Sequence, residues 1–573
     1  MTTLFKFRFP MYSHIRSKKA PFLCALTLTL LHSANSTAQM LPNAGQILRE
    51  LQQQPELTAP KAGPTLEVEE RALNASTDQG SSFVLKTIAI TGNTTFTQAE
   101  LHALVSELEG GTRSLKDLNL AAERITSYYR EQGYPVARAY LPAQEIKDGA
   151  VTIAVVEGRI AAQQLNNKSR LSDERAAAYL ERSGKGGVIR SDSIDRGLLL
   201  LNDTPGVTNA RATLQPGASV GTSDLVVQLE PGAAYSGNID FDNYGNRYVG
   251  AYRLGGTLNI NSPLQIGDVL TANVLTSGSG LNYGRVAYQL PLGSDGLRVG
   301  AAYFETHYEL AKEFKMLNAH GSASSASVFA TYPFIRSQFS NLNGTLSWEQ
   351  KKLSDSVDAT ATVTDKSARL VTAGIFGTRQ DAWVGGGINS LSLSAIFGQL
   401  DIKSPSALVI DNASAKTNGN YARWSYNLAR LQRITDSNNV YVAVSGQEAS
   451  KNLDSSEKFA LGGATGVRAY PQGEGIGDEG VLATVEWRHS FTPALQGTLF
   501  YDTGSVKINH TPFGTAASNT RTLSGAGFGV NAFYANVQIK ASLAWRAYGG
   551  APTSVPEWSS RGPTAWLQAS LGF

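Results

Sequence analysis

From residue 233 to the C-terminus, the chain alternates apolar and polar residues in segments of about ten residues. In the segment 537–546 (VQIKASLAWR), the odd positions are apolar and most even positions are polar. Clusters of Gly, Ser, Asn and Asp separate such segments, and a tight turn at 293–296 divides one hairpin. This alternation is typical of transmembrane strands, whose faces meet lipid and a wet lumen. We predict a transmembrane antiparallel β-barrel over 233–573, with about sixteen strands at roughly twenty residues per strand and loop.

A different pattern precedes the barrel. Two stretches, 83–158 and 159–231, each show the predicted order strand, helix, helix, strand, strand. Thr97 with Glu100 has the form of a capping box at the start of a helix, as does Ser114 with Asp117. The two stretches are therefore an internal repeat of two small α+β domains.

A short helix is predicted at 40–54, ahead of the repeats. Its apolar residues follow the i, i+3, i+4, i+7 spacing of one helical face: Ala44, Ile47, Leu48 and Leu51. The segment 55–82 that follows contains three prolines among polar residues and cannot form a core, so we expect it to be a linker. The helix is thus tethered to the repeats and can move.

The N-terminus has the pattern of a secretory signal peptide over 1–38. A basic stretch is followed by an apolar run and by small residues before the expected cleavage site. Cys24, the only cysteine, lies in that run, so the mature chain would have no disulfide or thiolate metal site. Beyond the signal no apolar stretch is long enough for a transmembrane helix, so a membrane-spanning mature chain must be a closed barrel.

Composition and motifs exclude several other classes of function. The 50 Lys and Arg nearly balance the 47 Asp and Glu, so we expect no nucleic-acid partner. The histidines lack metal-ligand spacing, and we expect neither metal nor cofactor. The segment 475–480 (GIGDEG) fits a dinucleotide fingerprint in letters, but no strand precedes it and no helix follows. No nucleophile motif or carboxylate pair indicates catalysis, so the chain is not expected to be an enzyme.

Taken in order, these parts resemble the transporters of two-partner secretion, a family of haemolysin secretion and activation proteins related to barrel-assembly factors. The shared features are the tethered helix, two repeats resembling polypeptide-transport-associated (POTRA) domains, the segment DNYGNRY at 242–248 and the segment GVRAY at 466–470. The resemblance implies that the helix plugs the lumen, that the loop carrying Arg468 and Tyr470 folds back into the barrel, and that a terminal Phe573 is the outer-membrane sorting signal. Ala469 departs from the family pattern, which has Gly there.

A second motif of the family, Phe-x-Asp-x-Gly, is present as Phe500, Asp502 and Gly504. Alternation along its strand places Phe500 and Asp502 in the lumen. Because a guanidinium inside the lumen needs a carboxylate, we predict that Arg468 pairs with Asp502 and locks the loop, with Glu486 as the alternative partner.

The resulting hypothesis is a Gram-negative outer-membrane transporter with its repeats in the periplasm. It would bind the unfolded N-terminal segment of a secreted haemolysin, adhesin or contact-dependent toxin by strand addition and pass it through the barrel. A passive porin, a barrel-assembly factor, and a displayed adhesin or enzyme remain as alternatives. Other expected partners are outer-membrane lipid and the barrel-assembly machinery, and the chain is expected to be a monomer.

Overall fold

The computed structural model describes residues 41–51, 66–68, 82–181, 187–278, 280–514, 518–555 and 562–573. The predicted signal peptide and most of the predicted linker lie outside these ranges. Within them, no helix has the length and apolarity needed to cross a membrane.

Two elements precede the first α+β domain in sequence: helix α1 (Ala44–Leu51) and strand β1 (Leu66–Val68). Its elements are β2 (Ser82–Leu85), β3 (Thr87–Thr91), α2 (Gln98–Ala103), β4 (Gly111–Ser114), α3 (Leu115–Glu131), β5 (Arg138–Tyr140) and β6 (Ala150–Val156). The sheet order is β3-β6-β5, and β2 pairs with β4. Capping boxes begin α2 at Thr97 and α3 at Ser114. Strands β2 and β3 are separated at Lys86, whose backbone N–H donates to the carbonyl of Gly149 (2.8 Å).

In the second α+β domain, β1 occupies an edge of the sheet. The domain consists of β7 (Arg159–Asn167), α4 (Asp173–Ala178), α5 (Ser191–Asn202), β8 (Val207–Pro216) and β9 (Thr222–Pro231). Its sheet has the order β1-β8-β9-β7, and β1 lies parallel to β8. Leu66 and Val68 pack on the core of this domain. Strand β1 therefore covers the β8 edge.

Sixteen strands form the closed barrel, which confirms the predicted fold class. The first ten are β10 (Tyr235–Asp242), β11 (Arg253–Asn261), β12 (Val269–Thr276), β13 (Leu281–Pro291), β14 (Arg298–Glu309), β15 (Ala319–Arg336), β16 (Ser340–Val357), β17 (Thr362–Asp381), β18 (Gly387–Ile402) and β19 (Gly419–Arg433). Helix α6 (Pro405–Ala413) lies between β18 and β19. The chain continues with β20 (Asn438–Ala449), the short pair β21 (Phe459–Ala460) and β22 (Ile476–Gly477), and then β23 (Glu479–Thr492), β24 (Leu495–Lys507), β25 (Thr520–Tyr534), β26 (Val537–Tyr548) and β27 (Thr564–Gly572). Antiparallel pairing of β10 with β27 closes the barrel, because it leaves neither strand as a free edge.

The position of the second domain identifies the periplasmic end of the barrel. Arg336 at the end of β15 makes a two-pronged ion pair with Asp203 (Nε–Oδ2 2.6 Å, Nη2–Oδ1 2.9 Å). Ser172 N–H donates to the carbonyl of Gln265 in a short turn of the barrel (2.9 Å). The longer connections, among them 403–418 and 450–478, lie at the opposite, external end.

Candidate functional site: a loop and a helix inside the barrel

The connection between β20 and β23 folds inward and packs on the barrel wall. Within it, β21 pairs with β22. Its apolar side chains form a buried cluster with inward residues of β23 to β26. The loop residues of this cluster are Phe459, Leu461, Val467, Ala469 and Tyr470, and the wall residues are Leu482, Phe500, Val506, Leu523 and Ala544. The loop thus has an apolar contact with the wall in addition to its polar contacts.

Arg468 lies at the inner end of this loop and contacts both carboxylates named by the sequence. Its Nε and Nη2 donate to Oδ2 and Oδ1 of Asp502 at 2.8 and 2.7 Å. Its Nη1 donates to Oε1 of Glu486 at 2.8 Å. The sequence treated Glu486 as an alternative to Asp502, whereas the structure has both at once, because they occupy diagonal positions on the inward face of β23 and β24.

Asp502 accepts more hydrogen bonds than Glu486. It is fully buried and also accepts hydrogen bonds from the Arg468 backbone N–H (3.1 Å) and from Thr484 Oγ1 (3.1 Å). Glu486 shares its charge with a second cation, Arg488 (Nε–Oε2 2.8 Å). The guanidinium carbon of Arg468 lies 3.4 Å from the ring centroid of Phe500, which adds a cation–π contact on one face.

Bare glycines on the wall make room for this packing. A Cβ at Gly504 would lie 2.6 Å from Leu461 Cδ2 of the loop. Sequence reasoning did not identify Gly525, where a Cβ would lie 2.3 Å from Ala469 Cβ, or Gly527, where it would lie 2.1 Å from the Leu543 carbonyl oxygen of β26 and 2.6 Å from Phe500 Cζ. Alternating glycines on one strand face were the signal in the sequence, since they leave that face without side chains.

Hydrogen bonds also fix the backbone around Arg468. The hydroxyl of Tyr470 donates to the carbonyls of Tyr548 (2.8 Å) and Gly550 (3.0 Å). Trp566 Nε1 donates to the Arg468 carbonyl at 2.7 Å, and Thr564 Oγ1 donates to the Ala469 carbonyl at 2.9 Å. The last strand, β27, therefore holds the tip of the loop as well as closing the barrel.

Buried acidic residues at the base of the loop form a second set that sequence reasoning missed. Glu457 accepts from Lys351 (2.8 Å) and Arg423 (2.9 Å) of the wall. Asp454 pairs with Lys366 at 2.7 Å. Burial of such charges requires pairing, so these contacts hold the base of the loop to β16, β17 and β19.

Helix α1 lies in the lumen, against the inner wall and the base of the loop. Three predicted face residues, Ala44, Ile47 and Leu48, are buried in a cluster with Tyr308 and other inward residues of the wall. Leu51, the fourth, is only partly buried.

Polar contacts tie the same helix to both of its neighbours. The Ala44 N–H donates to Asp355 of the wall (2.7 Å), and Arg49 Nε donates to the Lys458 carbonyl of the loop (2.9 Å). Sequence reasoning did not identify Gly45. A Cβ there would lie 2.6 Å from the Ser456 backbone nitrogen.

Helix α1 and the loop between β20 and β23 both lie inside the barrel, and both are held there by side-chain packing, hydrogen bonds and ion pairs with the wall. No cluster of His, Cys, Asp or Glu suited to a metal ion occurs in the described part of the chain.

Known proteins share this architecture. The chain is 29% identical over 539 residues to the heme/hemopexin transporter protein HuxB of Haemophilus influenzae (strain 86-028NP), covering 91% of this chain and 93% of that protein. It is 24% identical to the hemolysin transporter protein ShlB of Serratia marcescens, covering 69% and 70%. The solved structure of CdiB from Escherichia coli has the same fold (TM-score 0.67, 18% identity, covering 88% of this chain and 93% of that one).

Family models match both parts of the molecule. The model for POTRA domains of the ShlB type matches residues 83–158, which is the first α+β domain. The model for haemolysin secretion/activation proteins ShlB/FhaC/HecB matches residues 221–532, more than half of the chain and most of the barrel. The chain therefore belongs to the ShlB/FhaC/HecB family of haemolysin secretion/activation proteins.

Proposed function

We propose that this chain is an outer-membrane transporter that binds a secreted partner protein in the periplasm and passes it outward through its barrel. The single observation that carries the proposal is a closed sixteen-stranded barrel whose lumen holds two packed segments and whose periplasmic end bears two α+β domains. The relatives named HuxB, CdiB and ShlB are transporters by their names, which supports the same role here.

Recognition by strand addition fits a sheet edge of the second domain. In the first domain, the outer edge of β5 is already in use, because the Ala139 N–H donates to Thr126 Oγ1 of α3 (2.9 Å). In the second domain, β1 already occupies the β8 edge. A client segment could pair with β7, the opposite edge strand of this sheet, whereas at β8 it would have to displace β1. Backbone pairing is tolerant of sequence, which suits an unfolded client.

The roles of the internal segments follow from the same proposal. The contacts of Arg468 with Asp502 and Glu486 lock the loop at rest, helix α1 plugs the lumen, and Tyr470, Phe500 and Gly504 shape the seat of the loop. Phe573 ends β27 on the outer face beside Gly237, with which it exchanges two backbone hydrogen bonds of 3.0 Å. This position is consistent with a sorting signal read by the barrel-assembly machinery.

The alternatives fit less well. A passive porin needs neither docking domains nor two segments inside its lumen. Structural likeness to the barrel-assembly protein BamA of Haemophilus ducreyi (TM-score 0.50, 12% identity) concerns the fold alone. Two α+β repeats precede the barrel in the described part of the chain, whereas that class generally carries more.

Export in a heterologous Gram-negative host tests the proposal. The chain is expressed with a candidate client, and client protein in the medium is measured for this host and for the same host without the chain. We expect the client in the medium only where the chain is present. Absence of export of every client by the wild type would reject transport.

A further inference from the structure

The outward face of β15 to β18 changes character toward the external end of the barrel. Four exposed apolar residues stand side by side across these strands, each directly paired with the next: Val328, Trp348, Val371 and Phe397. Tryptophan is enriched where the hydrocarbon layer meets the headgroups. This row, the belt edge, therefore marks the external limit of the lipid-facing apolar surface.

Beyond the belt edge the same face is polar and forms a cleft. The next outward positions are Gln350 paired with Arg369, and then Lys352 paired with Ser367. These positions and their neighbours on β15 line a cleft of about 760 Å³ on the outside of the barrel. At about 3.4 Å per residue along a tilted strand, Lys352 lies roughly 10 Å beyond Trp348, which is the depth of lipid headgroups.

Two cations in this cleft have no anionic partner within the described chain. Lys352 and Arg369 are exposed, and neither forms an ion pair with any residue that the structure describes. Asp401, on the neighbouring strand, is paired with Lys403. Asp365 accepts a hydrogen bond from Ser354 (2.7 Å) and is not in ion-pair contact with Lys352.

The spacing of the two cations suits an anion between them. Lys352 and Arg369 occupy diagonal positions on adjacent strands, and such positions lie about 7 to 8 Å apart. Like charges at this distance repel each other, and a phosphate between them would accept hydrogen bonds from both. Gln350 and Ser367 add neutral donors for phosphate or sugar oxygens.

We propose that this cleft binds a phosphate group of lipopolysaccharide, the phosphorylated glycolipid of the outer leaflet, with its acyl chains on the belt edge. A phosphate at headgroup depth directly above an exposed apolar row matches an anionic lipid in both charge and shape. Bilayer anions attract surface Lys and Arg residues, and here two are fixed on a rigid sheet. The proposal concerns the outer face and is independent of the transport function.

Binding of lipid A to the full-length chain in detergent micelles tests this site. Native mass spectrometry titrates lipid A carrying both phosphates onto the wild type, onto Lys352→Gln/Arg369→Gln, and onto the matched Arg379→Gln. Arg379 is an exposed arginine at the periplasmic end of the same strand, β17. Heat-dependent gel mobility verifies that each barrel is folded. We expect the double variant to bind lipid A roughly tenfold more weakly, and Arg379→Gln to bind it as the wild type does.

The ligand arms decide which chemistry is recognised. Lipid A with both phosphates removed should bind the wild type as weakly as the double variant binds intact lipid A. Equal affinity of wild type and double variant for intact lipid A, or no effect of removing the phosphates, would overturn the proposal. Phosphatidylglycerol binding as tightly as lipid A would overturn the assignment to glycolipid. Displacement of lipid A by millimolar inorganic phosphate would indicate a small-anion site instead.

Discussion

At the scale of single residues, the loop inside the barrel depends on one guanidinium. Arg468 makes a bidentate contact with Asp502 and a single contact with Glu486, and it stacks on Phe500. Asp502 has no other cation within ion-pair distance, whereas Glu486 also has Arg488. The two carboxylates therefore share Arg468 unequally.

Removing either member of the bidentate pair should cripple export. Arg468→Ala or Asp502→Ala leaves a buried charge without its partner, which costs about 3 to 5 kcal/mol of loop ordering. Arg468→Lys should rescue only in part, because an ammonium cannot form the fork. Glu486→Ala should be milder, since Arg488 is more exposed and can be solvated. The measurement is client export at matched outer-membrane levels, with Arg379→Ala as the control. Export at the wild-type level by Arg468→Ala would eliminate the lock.

Ala469 and Gly525 should behave as a complementary pair. A methyl group at 525 would lie 2.3 Å from the Ala469 methyl, so Gly525→Ala should displace the loop and make it sensitive to protease. The double variant Gly525→Ala/Ala469→Gly removes this clash and leaves the new methyl group 3.0 Å from the Trp545 carbonyl oxygen, so it should recover most of the protection. Limited proteolysis of the folded barrel measures both. If the double variant were as sensitive as the single one, the contact between these residues would not explain the effect.

At the scale of elements, α1 is held by the base of the loop as much as by the wall. Gly45 faces Ser455 and Ser456, and those residues belong to the segment that Glu457 and Asp454 anchor to the barrel. Release of the helix and movement of the loop base therefore involve a shared contact. The linker strand β1 is the other element with a double role, because it covers the β8 edge and leads back to α1.

Gly45→Leu should undock the helix without shortening the chain. Its Cβ would meet the Ser456 backbone nitrogen at 2.6 Å, so the helix has to shift, although leucine itself favours helix. We expect planar-bilayer conductance to approach that of a variant lacking residues 41–51, while export continues. Gln46→Ala, on the half-buried side of the same helix, is the control and should conduct as the wild type does. Unchanged conductance for Gly45→Leu and for the deletion would eliminate the plug.

Weakening β1 should expose the β8 edge to clients. Leu66 and Val68 pack on the second domain, whereas Glu67 between them is exposed. Leu66→Ser/Val68→Ser should therefore release the strand and increase client binding by the full-length chain, and Glu67→Gln should not. Pull-down of an unfolded client segment compares the three proteins. A decrease in binding for the serine variant would mean that β1 supports recognition rather than competing with it.

At the scale of the whole molecule, the second α+β domain is attached to the barrel at several points. Arg336 holds Asp203, and Arg196 Nη2 donates to the carbonyls of Pro333 (2.9 Å) and Asp295 (3.2 Å). These contacts join the docking domain to the periplasmic turns on one side of the barrel. Under the proposed function, a client bound by this domain would be presented at a constant position relative to the lumen.

Loosening this attachment should reduce export while leaving the barrel intact. Arg196→Ala/Arg336→Ala removes the side-chain contacts, and we expect the distribution of spin-label distances between the second domain and the barrel to broaden. Arg211→Ala, at an exposed position of β8, is the control. A narrow distribution in the double variant would show that backbone and apolar contacts alone hold the domain.

Local sequence patterns were enough to predict the elements and the direction of their side chains. Successive side chains of a strand point to opposite faces, so alternation placed Phe500, Asp502 and Glu486 inward and Val485 outward, as the structure has them. The same rule and the sixteen-strand estimate described the barrel correctly. Helical spacing selected three of the four residues on the buried face of α1.

Which distant segments meet depends on how the whole chain folds. Arg468 takes both carboxylates, Ala469 rests on Gly525, the base of the loop finds Lys351 and Arg423, and β1 pairs with β8. Each contact joins positions far apart in sequence and exists because barrel closure and domain packing bring them together. Local periodicity reports the direction of a side chain but carries no information about what lies opposite it across a lumen or along a sheet edge.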